Sequence, residues 1–483
     1  MSKLKITGKD LRKLGFPENP VISLTMNLFN KDYKFWHKAA AIKLLQEILS
    51  EPERFKEDQV LGIIARQLLP ESKVVMPETV LRNNGIEFSV FGGQYIAEEA
   101  LHQMYQAAKL PVSVAGAVMA DAHSGYGLPI GGVLATDNAV IPYGVGLDIG
   151  CRMCLSIYEL NPHELISKEA FFIRELNDAT LFGSGSSFKQ APDHAVMEQE
   201  LFYQLPLLKR LHGKSWKQLG TSGSGNHFVE FGVVTIDQKD EVLNLAPGAY
   251  IGLLSHSGSR GLGAAVASHY TKLANSARRL PQAVKHMAWL TLNEEPGMEY
   301  WLAMNLAGDY AAACHQVIHQ KITRRLGIKP VKTVENHHNF AWKETLQGNE
   351  VIVHRKGATP AGKDVLGIIP GSMTADGFIV KGRGEEASIN SASHGAGRKL
   401  SRRAAIDSIT DKQFREALHK NGVTLLGGGL DESPFAYKDI HKVMQAQEGL
   451  VDVIGRFTPK IVKMDGAGHR SWKQKRKQDE LTG

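Results

Sequence analysis

The 483-residue chain is long enough for one large domain or two to three ordinary ones, and its 43% apolar and 22% charged residues form a globular balance that excludes wholesale disorder. Its net charge of +7 is mildly basic, which suits a polyanionic partner without requiring one. Three cysteines exclude a disulfide framework, and the lack of a signal-peptide pattern or a membrane-length apolar run predicts a cytoplasmic protein with no membrane partner.

The first 90 residues differ in character from the rest and predict a mostly helical extension. Residues 34–49, KFWHKAAAIKLLQEIL, have helical spacing. The residues near one predicted face are Phe35, Ala39, Ile42, Leu45, Ile48 and Leu49. The run EPERFKEDQVLGIIARQLL indicates a second helix. Neither segment carries a motif for chemistry, so we interpret residues 1–90 as packing or partner surface.

From residue 91 onward, glycine-rich turns alternate with short β-branched runs. The runs VSVAGAVMADAH, GGVLAT, HFVEFGVVTI, YIGLLSH, EVIVHRKG and GFIVKG predict strands, and EALHQMYQAAKL and YWLAMNLAGDYAAACHQVIHQKI predict helices. This pattern is typical of an α/β (mixed α+β) domain with mixed sheets, which we expect to span residues 91–466 as the catalytic domain. Residues 467–483 form a basic C-terminal tail, either a solvated terminus or an auxiliary contact to a phosphate backbone.

Histidine placement is the most informative feature of this domain, because several histidines lie beside glycine, serine or asparagine at the ends of predicted strands. His227 follows GTSGSGN, His256 ends YIGLLSH, and His338 lies in NHHN. Asp148 and Cys151 share the block GVGLDIGCRM. A thiolate with imidazoles suits Zn²⁺, and added carboxylate and water ligands suit Mn²⁺. Each histidine taken singly is more often structural, but their shared setting predicts a metal site assembled from distant parts of the chain.

Cys151 and Cys154 form a C-x-x-C pattern that is a weak redox signal. The strand-then-helix context of a redox pair is not evident, and no second pair completes a zinc ribbon. We interpret Cys151 as a metal ligand and Cys154 as a structural residue.

A second group of motifs is typical of phosphate handling. GSGNH, GSR with Arg260, and HGAGR with Arg398 offer backbone N–H groups and cations to an anion, although neither a Walker A nor a Rossmann glycine pattern occurs. In SASHGAGRKLSR, His394 suits either a structural loop or an imidazole that attacks a nucleotide phosphate and becomes a covalent carrier. The basic residues behind it, Lys399, Arg402 and Arg403, would either attract the phosphates of a polyanionic partner or lie on a solvated helix.

Eight blocks of the sequence together resemble the RNA-splicing ligase RtcB family. The blocks are DAHSGYGLPIGGV, GVGLDIGCRM, GTSGSGNHFVE, LSHSGSRGLG, NHHN, RKGAT with IIPGSM, SASHGAGRKLSR and AYKDIHKVM, and they occur in the family's order over residues 121–444. The resemblance implies an RtcB-like fold with mixed sheets around a dinuclear Mn²⁺ centre, and GTP as cofactor. It implies a ligase that joins an RNA 3′-phosphate, or a 2′,3′-cyclic phosphate once opened, to a 5′-hydroxyl in RNA repair or tRNA splicing.

The resemblance also implies roles for individual residues. The implied metal ligands are Asp148, Cys151, His227, His256 and His338, and His394 is the implied carrier of GMP. Arg260 and Arg398 are expected to contact phosphate or RNA. The residues implied to bind the guanylate are Asn226, His227, Phe228, Val229 and Glu230; His338 and Asn339; Pro370, Gly371, Ser372 and Met373; His394, Gly395, Ala396 and Gly397; and Lys463.

The chain departs from the family pattern near the nucleotide. Gly377 stands where a serine is frequent, and an ungapped comparison sets Met464, rather than Lys463, at the family's guanine-contacting lysine. These departures leave two other functions open: a guanylyltransferase that caps 3′-phosphate ends without sealing them, and a catalytically silent RNA-binding homologue. An activating protein partner is also left open.

Overall fold

The computed structural model describes residues 4–17, 20–69 and 77–466, so the predicted basic tail lies outside the described residues. The chain divides into two compact units, Met1–Pro77 and Glu78–Gly483. Residues 78–90, which the sequence analysis grouped with the N-terminal extension, belong to the larger unit. There Glu78 forms an isolated bridge with Arg279, and residues 88–90 add a strand to a sheet.

The smaller unit is helical, as predicted, with α1 (Gly8–Leu14), α2 (Val21–Asp32), α3 (Lys38–Ser50) and α4 (Gly62–Leu68). Helix α3 begins at Lys38 and not at residue 34. The predicted buried face is correct at Leu45 and Ile48, but Phe35 and Ala39 are exposed. For Phe35 the prediction is wrong because residues 33–37 form a loop, so their side chains do not continue the buried face of the helix. Ala39 lies in the first turn of α3.

The larger unit contains the predicted mixture of helices and strands, and every run quoted above for this domain is confirmed. Its helices are α5 (Glu98–Ala108), α6 (Pro142–Val145), α7 (Glu164–Ser167), α8 (Glu169–Ala179), α9 (Leu201–Gln204), α10 (Pro206–Gln218), α11 (Arg260–Ala277), α12 (Glu295–Leu326), α13 (Arg402–Ser408), α14 (Asp411–Lys420) and α15 (Ile440–Gln445). Its strands are β1 (Phe88–Val90), β2 (Ser113–His123), β3 (Ile130–Thr136), β4 (Ala139–Val140), β5 (Arg152–Tyr158), β6 (Phe228–Ile236), β7 (Gly248–Ser257), β8 (Leu290–Thr291), β9 (Lys332–His337), β10 (Asn339–Leu346), β11 (Asn349–Lys356), β12 (Ala358–Pro360), β13 (Leu366–Ile369), β14 (Gly377–Gly382), β15 (Ser391–Ser393), β16 (Thr424–Leu426) and β17 (Val451–Met464).

Two large sheets organise this unit. The first has the order β1-β2-β3-β11-β10, and the second has the order β13-β14-β17-β6-β7-β5-β9 with β16 added beside β17. The pairs β1–β2 and β16–β17 are parallel and the other pairs in these two sheets are antiparallel. Both sheets are therefore mixed, as predicted.

Helix α12 supports the second sheet from behind. Its 32 residues span about 48 Å. The helix contains Pro296 in its first turn and ends at Gly327, whose φ of +71° forms a left-handed cap. Side chains along its length are buried, and it packs against β5 and β7. Within the described part of the chain, every helix falls short of the length or apolar character needed to cross a membrane.

Candidate active site and metal centre

The predicted metal ligands lie at neighbouring ends of four paired strands. Cys151 directly precedes β5, His227 directly precedes β6, His256 is near the end of β7, and His338 directly follows β9. Because these strands are paired antiparallel in the order β6-β7-β5-β9, the starts of β5 and β6 lie beside the ends of β7 and β9. Residues far apart in the sequence therefore meet at one edge of the sheet.

The donor atoms of these side chains form a continuous group. Cys151 Sγ lies 3.1 Å from His256 Nε2 and 3.6 Å from His227 Nε2. His256 Nε2 lies 3.2 Å from His338 Nε2, and His227 Nε2 lies 3.0 Å from Asp148 Oδ2. The Cys151 thiol thus stands between an Asp148–His227 pair and a His256–His338 pair. This set of carboxylate, thiol and imidazole groups fits a divalent cation such as Zn²⁺ or Mn²⁺.

Backbone carbonyls fix the orientation of two of the imidazoles. His227 Nδ1 donates to the carbonyl of Ser222 at 2.6 Å, and His256 Nδ1 donates to the carbonyl of Asn226 at 3.0 Å. Because the carbonyls fix the proton on Nδ1 of both rings, Nε2 is the atom of each ring that would coordinate a cation. The Nδ1 atom of His338 is buried without a hydrogen-bond partner among the described residues. The converging nitrogen, sulfur and oxygen atoms form a donor set that would coordinate a cation.

Burial and charge set the protonation of this group. Burial lowers the pKa of His256 to about 3 and that of His338 well below its usual value, so both rings are neutral. Burial would raise the pKa of the Asp148 carboxyl, but the hydrogen bond and charge of His227 outweigh it and the pKa is lowered. Burial and the Asp148 charge raise the pKa of the Cys151 thiol. A bound cation would favour the thiolate instead.

Gly258 leaves the space that the Asp148 carboxylate occupies. The carboxylate also accepts a hydrogen bond from the backbone N–H of Ser259 at 3.1 Å. A Cβ at Gly258 would overlap both carboxylate oxygens, since nothing else separates them from the backbone. The position of Asp148 in the ligand group therefore depends on glycine at residue 258.

We expect Gly258→Ala to weaken metal binding by about 10- to 100-fold, because the displaced carboxylate is lost from the ligand group. Gly185→Ala is the matched control, since an added Cβ there would meet nothing within 4 Å. Metal content after dialysis against graded chelator measures the effect. Equal metal retention in the two variants would contradict a ligand role for Asp148.

His394 follows β15 and lies beside the ligand group. Its Nδ1 is 2.6 Å from Oδ2 of Asp121, and its backbone N–H donates to the same oxygen at 3.2 Å. Burial would raise the pKa of the Asp121 carboxyl, but the charge and hydrogen bond of His394 outweigh it and the pKa is lowered. The carboxylate holds the proton on Nδ1, which leaves the Nε2 lone pair available. The His394 ring lies 4.9 Å from the His338 ring, centroid to centroid.

Asp121 had no predicted role, although it opens the DAHSGYGLPIGGV block. It belongs to β2 in the first sheet, and its side chain is fully buried. Gly397, in the turn after His394, has a φ of +69°, and a Cβ there would overlap the backbone carbonyl of Asp121. This glycine therefore allows the turn to approach β2 closely enough for His394 to reach Asp121.

A cavity of about 400 Å³ lies over His394 and the ligand group. Asp148, Cys151, His256 and His338 line it, so four of the five predicted metal ligands share one cavity with predicted nucleotide residues, whereas His227 is not among its lining residues. The predicted guanylate-binding residues in its wall are Asn226, Phe228, Glu230, His338, Asn339, Pro370, Gly371, Ser372, Met373, His394, Gly395, Ala396 and Gly397.

The side chain of Val229 points away from this cavity, contrary to the prediction. Alternate residues of a strand face opposite sides of a sheet, so Phe228 and Glu230 line the cavity while Val229 packs in the core beside Leu176 of α8. The motif block is contiguous in sequence, but it cannot place three successive strand side chains on one face.

Lys463 is likewise on the opposite face. It pairs with Val229 across β6 and β17, and its Nζ donates to the carbonyls of Leu176, Asn177 and Thr180 at the end of α8. At this strand the cavity is lined instead by Val462 and Met464. The Lys463 side chain is therefore turned away from the cavity into which guanine was predicted to bind, and Met464 lies at the cavity wall.

The two predicted phosphate-binding arginines differ in their surroundings. Arg260 is buried at the start of α11, where its Nε donates to Thr221 Oγ1 and its Nη2 donates to the carbonyl of Gly183, both at 2.8 Å. These two hydrogen bonds connect α11 to the loops that contain Thr221 and Gly183, close to His227. Arg398 lines the cavity, and its Nη1 lies 3.2 Å from a carboxylate oxygen of Glu432.

Arg402 also lines the cavity, although the sequence analysis left a solvated helix open as one alternative for it. It begins α13, and its guanidinium forms ion pairs with Asp431 and Glu432. Its side chain is 45% exposed. A second cation is therefore available beside Arg398 at the mouth of the site.

A second group of metal-type ligands lies behind the sheet, where Cys154 of β5 faces His315 and His319 of α12. Ser255 Oγ is 2.6 Å from His315 Nδ1 and 2.7 Å from His319 Nε2. Ser156 Oγ is 2.8 Å from His319 Nδ1, and His315 Nε2 donates to the carbonyl of Ser257 at 3.1 Å. All four imidazole nitrogens thus have oxygen partners, so the group joins α12 to the sheet by hydrogen bonds.

Comparison with known proteins identifies the family of the chain. The family model described as tRNA-splicing ligase RtcB matches residues 103–204 and 205–465. RNA-splicing ligase RtcB of Escherichia coli K12 is 34% identical over 399 residues, which cover 75% of this chain and 93% of that protein. tRNA-splicing ligase RtcB of Thermococcus kodakarensis is 31% identical over 440 residues, covering 75% and 90%. RNA-splicing ligase RtcB of Mycobacterium bovis is 31% identical over 428 residues, covering 74% and 98%. The chain therefore belongs to the RtcB family of tRNA-splicing ligases.

Proposed function

We propose that this RNA ligase uses GTP and two Mn²⁺ ions to join RNA 3′-phosphate or 2′,3′-cyclic phosphate ends to 5′-hydroxyl ends, with GMP carried covalently on His394. One observation carries the proposal. Asp121 holds His394 by Nδ1, so that the Nε2 lone pair is available in the same cavity as four of the predicted metal ligands. A nucleophilic imidazole beside a cation site is the arrangement that attack on a nucleoside triphosphate needs.

The proposed reaction has three displacements at phosphorus. His394 Nε2 attacks the α-phosphorus of GTP, a new N–P bond forms, and pyrophosphate leaves with the electrons of the broken P–O bond. An oxygen of the RNA 3′-phosphate then attacks the same phosphorus, and the imidazole leaves. Finally the RNA 5′-hydroxyl attacks the activated 3′-phosphorus, loses its proton, and displaces GMP. A 2′,3′-cyclic phosphate is first opened by water to a 3′-phosphate.

The chain's own residues support these steps by position and charge. Asp121 retains the Nδ1 proton and stabilises positive charge that develops on the ring during attack. Arg398 and Arg402 place guanidinium groups at the cavity, where they would attract the phosphates of GTP or RNA. Asp148, Cys151, His227, His256 and His338 would hold the metal ions. When bound, such cations offset the negative charge of phosphate groups.

Glu230 supports the choice of guanine. Its side chain is buried in the cavity wall, and burial raises the pKa of its carboxyl well above the usual value. A carboxyl oxygen accepts hydrogen bonds, and guanine presents two donors, N1–H and the N2 amino group, on one edge. Adenine presents an acceptor at N1, so the same carboxyl favours guanine.

We expect Glu230→Gln to slow adduct formation with GTP by about 10-fold or more and to narrow the preference for GTP over ATP. The two donors of guanine would favour the ionised carboxylate, which offers two acceptor oxygens, whereas an amide cannot ionise and keeps its own N–H donors. Glu350→Gln, at an exposed position in β11, is the matched control. Rates of adduct formation with each nucleotide measure the change. An unaltered preference in Glu230→Gln would remove Glu230 from base recognition.

Intact-mass spectrometry after incubation with GTP and Mn²⁺ tests the proposed intermediate. One added GMP per chain is expected, followed by its loss and by joined product when RNA with 3′-phosphate and 5′-hydroxyl ends is supplied. Guanylated but unjoined RNA would favour a capping guanylyltransferase instead. A metal-loaded protein that forms no adduct would favour a silent RNA-binding homologue.

A cytoplasmic location and an activating protein partner remain parts of the proposal. The location follows from the cysteine usage, and the need for a second protein is an open alternative that activity measurements decide. Joining activity of the purified chain alone, compared with activity in a cytoplasmic extract, would reveal whether a second protein is needed.

A further inference from the structure

Basic and aromatic side chains are interleaved where α2 joins α3 in the smaller unit, from the end of α2 to the first residue of α3. Residues 31–38 read KDYKFWHK, with three lysines and one histidine against one aspartate. We call these eight residues the 31–38 segment. It lies outside residues 103–465, which the family model matches. Its chemistry is therefore not explained by the ligase core.

Two large aromatic side chains of this segment are exposed. Phe35 is 70% exposed and Trp36 is 45% exposed. The Trp36 ring meets the Tyr33 ring edge-on at 4.8 Å, and Tyr33 in turn stacks on the buried Phe29 at 4.7 Å. Trp36 is thus supported from the core side while much of its surface remains open to solvent. Lys34 Nζ lies over the Phe35 ring, 5.1 Å from its centroid.

Backbone hydrogen bonds fix the shape of the segment. Tyr33 N–H donates to the Phe29 carbonyl at the end of α2, and Trp36 N–H donates to the Tyr33 carbonyl at 2.9 Å. The carbonyl of Lys34 accepts from Leu4 N–H at 2.8 Å. The rings are therefore presented by an ordered turn, which lowers the entropy cost of binding a ligand.

We infer that the 31–38 segment binds single-stranded RNA, with unpaired bases stacked on Phe35 and Trp36 and phosphates near Lys31 and Lys34. Aromatic faces interleaved with cations are the general means by which proteins bind single strands without sequence preference. That the strand is RNA rests on the proposed function; the aromatic and cationic surface itself does not depend on it.

The charge of the segment favours a nucleic acid over a protein partner. Its cations are lysines, and lysine is depleted from the buried centres of protein–protein interfaces, where arginine is preferred. Phosphates, in contrast, attract lysine as a point charge. Lys38 is already 3.2 Å from the Asp10 carboxylate, so Lys31 and Lys34 are the cations used in the tests below.

The first experiment measures stacking in the full chain. The probe is a short fluorescent oligouridylate with hydroxyls at both ends, titrated without GTP or Mn²⁺. We expect Phe35→Ala to weaken binding about 5-fold or more, and Phe35→Ala/Trp36→Ala at least about 10-fold. Tyr203→Ala, which removes a 56% exposed ring from the larger unit, should leave binding unchanged. Binding of duplex RNA should be unchanged in all variants, because paired bases cannot stack on the rings.

The second experiment measures phosphate contacts without touching the rings. For single strands each neutralised phosphate contributes about 0.7 to the slope of log affinity against log salt. We expect Lys31→Ala/Lys34→Ala to reduce that slope by about 1.4, and Lys412→Ala/Lys420→Ala, on exposed positions of α14, to leave it unchanged.

The inference is overturned if Phe35→Ala binds the probe as tightly as Tyr203→Ala does, or if the two lysine pairs change the salt slope equally. Loss of self-association in place of RNA binding would identify a protein-docking surface and also overturn it. GMP adduct formation is measured in parallel. If the chain forms the GMP adduct normally but the ring and lysine variants bind RNA as the wild type does, only this inference is refuted. If the chain forms no adduct but these variants still weaken RNA binding, only the proposed ligase mechanism is refuted.

Discussion

His394→Ala is expected to abolish the GMP adduct and to lower the rate of RNA joining by at least about 10⁴-fold, equivalent to about 5.4 kcal/mol of transition-state stabilisation. The reason is that, among the described residues, no other imidazole of the cavity has a carboxylate on Nδ1. His123 also lines the cavity, but its Nδ1 faces the backbone carbonyl of Asp121 at 3.2 Å. His227 and His256 have Nδ1 bound to backbone carbonyls and Nε2 turned into the ligand group. Only His394 combines a carboxylate on Nδ1 with an Nε2 outside that group. Intact mass and single-turnover joining measure the two effects.

His337→Ala is the matched control for this experiment. His337 neighbours His338 in the chain, yet its ring packs against Phe340 and Trp342. We expect this variant to keep the adduct even if it is less stable. Metal content of His394→Ala should match the wild-type value, because the nitrogen that is hydrogen-bonded in His394 faces Asp121 and the ring supplies no donor to the ligand group. Its melting temperature should fall, since the buried Asp121 carboxylate loses its partner. Adduct at the wild-type level in His394→Ala would refute the proposed nucleophile.

The ligand group could be predicted from the sequence because each member marks the end of a strand. Glycine-rich turns before β5 and β6, and an apolar run ending in histidine at β7, place polar side chains where strands stop. Such ends meet only if the strands are neighbours, and the order β6-β7-β5-β9 is not written in any single motif. The eight-block resemblance supplied that information.

Three features of the site needed the structure. Asp121 and His394 are 273 residues apart, and β2, which contains Asp121, and β15, which precedes His394, belong to different sheets, so no spacing rule joins the two residues. Val229 was included because its motif block is contiguous, and Lys463 because it is the nearest lysine to the family's guanine-contacting position, although strand alternation sends both side chains to the other face. A solvated helix was one alternative for Arg402, but the helix start at residue 402 turns it toward the cavity.

The thiol of Cys151 is the only donor that contacts both pairs of the ligand group in the described residues, so its loss should disrupt the whole metal centre. We expect Cys151→Ser to weaken metal binding by at least about 100-fold. This loss exceeds the one expected from replacing a residue that only hydrogen-bonds to a ligand. A serine hydroxyl is a poor substitute, since it remains protonated where a metal-bound thiol ionises. Metal content by mass spectrometry and the sulfur-to-cobalt charge-transfer absorption of the Co²⁺-substituted protein measure the loss.

Cys154→Ser separates a ligand effect from a general effect of removing a buried thiol. Cys154 is as buried as Cys151, at 5% and 4% exposure, and lies on the same strand region, but its sulfur faces His319 behind the sheet at 3.9 Å. We expect Cys154→Ser to keep both the metal and the cobalt–sulfur absorption. Because binding releases the Cys151 proton, wild-type metal affinity should also fall as the pH is lowered, and Cys151→Ser should show a weaker dependence. Equal loss of metal from the two serine variants would show that packing, rather than coordination by Cys151, holds the site together.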